Sequence, residues 1–170
     1  IRHPDGRLSG AVLVFHDVSE SRRQARQLEH DATHDALTGL INRVEFERRL
    51  DRALESARLY DARHALCYLD LDQFKVVNDS AGHAAGDELL KQINGLLSGM
   101  FRERDTLARI GGDEFGLLLD NCPLERAQSI AEAVITSVRD FRFYWDGNCY
   151  QIGVSIGLVP IPAQTRDTAR

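Results

Sequence analysis

Two acidic stretches hold the residues whose types and spacing could do chemistry. The first, YLDLDQFKVVND from Tyr68 to Asp79, ends an apolar run with Asp70 and Asp72. Side chains alternate along a strand, so these two carboxylates point to one side of it. Acids crowded at the end of a buried strand repel one another and lose hydration, which is costly without a compensating cation. The second, ARIGGDEFGLLLD from Ala108 to Asp120, sets Gly111 and Gly112 before Asp113 and Glu114, between two apolar runs. Alone, this is a surface hairpin with ordinary turn residues at its tip. Beside the first stretch, it supplies acids that a divalent ion can share. Mg²⁺ favours one or two carboxylates together with phosphate oxygens and water. Neither stretch contains histidine or cysteine, which disfavours zinc. Lys75 can meet phosphate charge as a point cation, and the two glycines would let a bulky phosphorylated ligand approach the backbone.

The elements that must position these residues can be read from periodicity. HALCYLDL, His64 to Leu71, has the character of a buried strand. Thr106–Ile110 and Phe115–Leu119 are expected to pair antiparallel, with Gly111 to Glu114 as the connecting turn. From Val44 to Ala57, residues Phe46, Leu50, Ala53, Leu54 and Ala57 share one helical face. GDELLKQINGLLSGM repeats that spacing with Leu89, Leu90, Ile93, Leu96, Leu97 and Met100, and LERAQSIAEAVITSV repeats it again. The tail supplies FRFYW and YQIGVSIGLVP, expected as two strands joined at Asp146-Gly147. Helix, strand, helix, hairpin, helix, strand, strand implies an α/β (α+β) domain in which helices pack on a sheet, and excludes a bundle.

Ahead of this domain, HPDGRLSGAVLVFHDVSE carries a turn signal and an apolar run fitting one strand of a sheet whose other strands are absent, so the chain is expected to start inside a preceding domain. Asp17 and Glu20 have capping-box spacing, and SESRRQARQLEHDA is polar apart from Ala25, Leu28 and Ala32. That narrow seam fits a solvated linker helix as well as a short coiled-coil connector. The 170 residues suffice for one compact domain plus an appendage. A net charge of −5 with interspersed signs argues against a nucleic-acid partner. Cys67, Cys122 and Cys149 lack metal-type spacing and suit a reducing, cytoplasmic setting. The apolar run AVLVF falls far short of the roughly 20 residues of a spanning helix, so no membrane contact is expected from this segment.

Five motifs together carry a family resemblance. GGDEF at Gly111–Phe115, HDALTGLINR at His34–Arg43, DLDQFKVVND at Asp70–Asp79, GHAAGDELL at Gly82–Leu90 and GVSIG at Gly153–Gly157 resemble, in order and spacing, the motifs of the GGDEF family, the diguanylate cyclases. The resemblance runs from His34 to about Pro160. It implies a domain similar to the palm of nucleotidyl cyclases and polymerases, a central mixed sheet flanked by helices with an N-terminal linker helix. The implied activity is condensation of two GTP molecules into cyclic di-GMP with release of pyrophosphate.

By the same resemblance, Asp70 and Asp113 hold Mg²⁺ (or Mn²⁺) with the carbonyl of Leu71, and Asp113 also accepts the 3′-hydroxyl proton. Glu114 is a metal ligand, an anchor behind the ligands, or a solvated turn acid. Phe74, through its backbone N–H, and Lys75 cover phosphates. Asn78 and Asp87 read guanine, whose N1–H and exocyclic amine a carboxylate can accept as a pair; adenine would leave Asp87 unpaired. Asp87 equally suits a helix N-terminus by charge. His83 lies near the base or is a polar cap. Arg102 and Asp105, in FRERD, have the register of an inhibitory product site, though an exposed ion pair would use the same residues. Two GTP molecules facing one another across a two-fold axis require a homodimer.

The N-terminal segment resembles the closing strand of a PAS sensor domain. The organisation implied is a PAS-like strand over 1–18, a signalling helix over 19–33 and a C-terminally truncated GGDEF domain over 34–170, since members usually continue past IPAQTRDTAR with a further helix and strand. The alternative to a cyclase is a catalytically silent GTP- or cyclic di-GMP-binding module attached to an EAL phosphodiesterase.

Overall fold

The computed structural model describes residues 19–162, so the apolar strand expected around Ala11–Phe15 and the capping residue Asp17 lie outside the described residues. The chain divides into two units between Ala32 and Thr33. In the first, helix α1 (Ser19–Thr33) carries Glu20 in its first turn, and Gln27 Nε2 donates to Asp31 Oδ1 at 2.8 Å. Leu28 and Ala32 of the expected seam are both exposed.

The second unit runs α2 (Arg43–Tyr60), β1 (His64–Asp72), α3 (Phe74–Ala81), α4 (His83–Ser98), β2 (Thr106–Gly111), β3 (Glu114–Leu119), α5 (Leu124–Asp140), β4 (Phe143–Trp145), β5 (Asn148–Tyr150) and β6 (Gly153–Ile161). Four strands form the main sheet in the order β2-β3-β1-β6. Each ladder in it is antiparallel, and Ile41 adds one parallel bridge to Ala108 at the β2 edge.

Alternation along β1 sorts its side chains between two layers. Ala65, Cys67, Leu69 and Leu71 are buried with Leu89, Leu90, Ile93 and Leu97 of α4, Val134 and Val138 of α5, and Phe115, Leu117 and Leu119 of β3. The opposite face is covered by α2, whose Phe46, Ala53 and Ala57 pack with Ala108, Leu118 and Ile161, with Leu66 beside them. That cover stops part-way along the strand. His64 is buried and Leu66 half-buried, but Tyr68, Asp70 and Asp72, next along the same face, are exposed. The acids therefore emerge where the α2 layer runs out.

Three details depart from the periodicity. Helix α3 is not evident in the sequence, because its eight residues bury only Val77 and leave no apolar stripe to read. The tail divides further than expected: Asp146-Gly147 joins β4 to β5 in a separate two-stranded hairpin, while Gly153–Ile161 crosses to pair with β1. The strand expected from Tyr150 onward breaks at Gln151 and Ile152 because Ile152 turns into the main core. Leu54, expected on the buried face of α2, lies at its rim and is about half exposed.

Candidate functional site

The two acidic stretches meet at one edge of the sheet. In the β1–β3 register Asp70 stands opposite Glu114, and the N–H of Leu71 donates to the carbonyl of Asp113 at 3.2 Å. The β2–β3 connection is tighter than expected: Gly111 already pairs with Glu114, leaving Gly112 and Asp113 as the turn. Gly112 has φ +51°, a conformation that favours glycine. Partial desolvation, then the carboxylates of Asp113, Glu114 and Asp72, push the Asp70 carboxyl above its ordinary value. Tyr68, one step back on the same face, places its hydroxyl within hydrogen-bonding reach of Glu114. Asp72 turns toward β6, where the Ser155 hydroxyl donates to its Oδ1 at 2.8 Å.

Arg109 was not singled out by its sequence position, and it holds the turn. Its Nε and one terminal nitrogen donate to the Gly112 carbonyl at 3.1 and 3.0 Å, and the other terminal nitrogen meets both oxygens of Asp35 at 3.1 Å. Asp35 also accepts from the Thr38 N–H at 2.9 Å and the Thr38 hydroxyl at 2.7 Å. Burial pushes the Asp35 carboxyl up, but the Thr38 bonds and the Arg109 guanidinium outweigh it and hold the carboxyl below its ordinary value. The 34–42 loop is thereby tied to the acidic turn, and Arg109 N–H donating to Ile41 at 3.0 Å continues the tie. A cation two positions before a glycine-acid turn was the available signal.

Immediately after Asp72, Gln73 takes φ +66° and reverses the chain into α3, which opens with Phe74 and Lys75. Lys75 is exposed. Helices α3 and α4 pack as a pair through a turn at Gly82, with Asn78 half-buried between them and His83 and Asp87 exposed near the start of α4. Phosphate-contacting and base-contacting candidates thus belong to one helix pair that follows directly from the acidic strand end.

Arg102 and Asp105 lie at the opposite end of the sheet, before β2. Each oxygen of Asp105 already accepts a backbone N–H, from Arg102 at 3.1 Å and from Asp120 at 3.2 Å. Arg102 itself is exposed. The Asp105–Arg102 contact is therefore a side-chain bond to the backbone, not an ion pair between side chains.

Among the described residues no group of three His, Cys, Asp or Glu side chains is arranged to hold a metal by itself. The donors at the β1–β3 edge are hard oxygens, and they include a carboxyl raised by partial desolvation and then by its like-charged neighbours. Such a set fits a Mg²⁺-type ion that completes its coordination with ligand oxygens and water. Among the described residues no helix is long and apolar enough to cross a membrane.

Residues 32–170 match the profile described as "Diguanylate cyclase, GGDEF domain". The chain belongs to the GGDEF family. It is 49% identical over 165 residues to the probable diguanylate cyclase DgcE of Escherichia coli, covering 97% of this chain and 15% of that protein. It is 40% identical over 151 residues to the cyclic di-GMP phosphodiesterase PdeB of Shewanella oneidensis, covering 88% of this chain and 17% of that protein. The chain thus spans less than a fifth of the length of either relative. In three dimensions it resembles the coiled coil and GGDEF domain of DgcB from Caulobacter crescentus, a structure in complex with c-di-GMP: TM-score 0.79, 28% identity, 85% of this chain and 77% of that one.

Proposed function

We propose that this domain is a diguanylate cyclase domain that joins two GTP molecules into cyclic di-GMP and releases pyrophosphate. The observation that carries the proposal is the convergence of Asp70, Asp113 and Glu114 at one sheet edge, directly followed by the α3–α4 pair. Asp70 and Asp113, with the Leu71 carbonyl, are the candidate holders of Mg²⁺ or Mn²⁺. When bound, such an ion supplies a lowered pKa at the 3′-hydroxyl and relief of charge at the α-phosphate.

Asp113 accepts the proton of one nucleotide's 3′-hydroxyl. That oxygen bonds to the α-phosphorus of the second nucleotide, whose bond to pyrophosphate breaks; the reciprocal attack by the second nucleotide's 3′-hydroxyl, its proton passing to the other protomer's equivalent acid, closes the ring and releases a second pyrophosphate. Phe74 and Lys75 receive phosphate charge, and Asn78 and Asp87 select guanine, with His83 beside the base. Glu114, within reach of the Tyr68 hydroxyl and opposite Asp70, supports the ligand set. Each domain presents one nucleotide, so turnover needs a homodimer, with α1 as the candidate element that brings input to the domain. Arg102 and Asp105 are the candidate product-inhibition site. Because backbone N–H groups already engage both Asp105 oxygens, the exposed Arg102 guanidinium is the principal contact there.

The test is incubation of the protein with GTP and Mg²⁺ and chromatographic analysis of the nucleotides. Cyclic di-GMP with stoichiometric pyrophosphate is expected. Unchanged GTP under conditions that give a dimer would overturn cyclase activity and favour a binding module. Added cyclic di-GMP is expected to slow turnover, and Arg102→Ala to relieve that inhibition.

A further inference from the structure

Gly86 closes the first turn of α4, where glycine is less favourable than alanine by up to about 1 kcal/mol. Its neighbours supply a physical reason. A Cβ built on Gly86 would collide with Asn78 Oδ1 and lie 2.9 Å from Asn78 Cγ, with the Phe74 ring edge at 3.2 Å. The Asn78 amide thus occupies the volume that any side chain at position 86 would need, and Gly86 is buried beneath it. Asp87 follows in the chain and is exposed.

We infer that Gly86 is a positioning residue for guanine selectivity: its missing side chain leaves the space on α4 in which the Asn78 amide is seated. This rests on the cyclase proposal for the role of Asn78, but the seating itself is independent of it. Asn78 Cγ as well as its Oδ1 lies too close to that position, so turning the amide about χ2 does not clear the added methyl and the amide must move from its seat. Helix propensity favours alanine and crowding of Asn78 and Phe74 opposes it, so fold stability should change little while base recognition falls.

The experiment compares wild type with Gly86→Ala, Asn78→Ala and the double variant. For Gly86→Ala a folded protein with a melting temperature near that of wild type is expected, because helix propensity favours alanine while the added methyl crowds Asn78 and Phe74. Its Kd for GTP, measured by calorimetry, should rise about tenfold, as for one lost buried hydrogen bond. In turnover the loss should fall mainly on KM. The double variant should bind GTP no more weakly than Asn78→Ala, because position 86 acts through an amide that is no longer there.

In ¹⁵N-labelled protein the Asn78 side-chain amide resonances, assigned by their loss in Asn78→Ala, should shift in Gly86→Ala. Unchanged resonances, wild-type affinity in Gly86→Ala, or additive losses in the double variant would each overturn the inference. Wild type that binds no GTP would overturn the cyclase proposal and the guanine role with it, while the amide shift still decides whether Gly86 seats Asn78.

Discussion

The two ends of β1 both carry charged side chains, and they are treated in opposite ways. At the His64 end, buried His64 Nδ1 lies 2.9 Å from Asp120 Oδ1, the Asp120 N–H donates to Asp105, and Asp105 also accepts the Arg102 N–H. Each acid there has a partner within the chain. At the Asp70 end, partial desolvation and then the nearby carboxylates of Asp113, Glu114 and Asp72 raise the Asp70 carboxyl, while Asp72 itself accepts from the Ser155 hydroxyl. The difference is one of grouping: burial raises the Asp105 carboxyl too, but only at the Asp70 end do three carboxylates adjoin a fourth at an edge open to solvent, which is where the proposed cation would add charge. Arg109 shows the same division: it is spent on Asp35 and the Gly112 carbonyl, and so fixes the turn without neutralising the acids.

The contrast makes graded predictions. Asp113→Ala should reduce cyclic di-GMP synthesis by about a thousandfold or more, as expected for loss of the proposed metal ligand and proton acceptor, with an unchanged circular dichroism spectrum. An active, folded variant would remove the distinction between the ends. Arg109→Ala should lower activity about 10- to 100-fold, because the turn loses its support. It should also cost about 2 kcal/mol in urea unfolding, by leaving Asp35 half-buried without its cation.

The pH dependence of that tie follows from its sign. The Asp35 carboxyl is lower in the folded state than its ordinary 3.8, so its contribution is present above pH 3.8 and is lost as pH falls through the folded value. Asp35→Asn should flatten stability against pH in that acid range. At the other end, Asp120→Ala should cost about 1 kcal/mol in stability and leave cyclic di-GMP synthesis at the wild-type rate. The smallest effect is expected from Asp70→Asn without metal. The wild-type carboxyl is raised on folding, so its charge weakens the fold as pH rises above 3.8, and the variant should melt slightly higher at pH 7. Mg²⁺ should then raise the melting temperature of wild type more than that of Asp70→Asn.

Periodicity was a good guide wherever a face is continuous. Helices α2, α4 and α5, the strand from His64 and the Gly-Gly-Asp-Glu hairpin could all be placed from apolar spacing and turn residues. It failed where burial is sparse, as in α3 with Val77 alone, and where a chain segment changes sheet, as between Tyr150 and Gly153. In the candidate site, Asp70, Asp113 and Glu114 were conspicuous because acids beside apolar runs are chemically expensive. Arg109, Tyr68, Ser155 and Gly86 were not, because their meaning lies in partners far along the chain or across the sheet.

Alternation along β1, the glycines of the turn and the spacing of the motifs follow from local chemistry, since neighbours within a few residues set side-chain direction and permitted φ. They sufficed to name the acids and the family resemblance. Packing alone determined that α2 covers only the first half of β1 and leaves the acids open to solvent. It also brought Asp35 to Arg109 across 74 positions and laid the Asn78 amide in the space Gly86 leaves empty. Such contacts depend on how elements stack, and their stacking is settled by burial over the whole core.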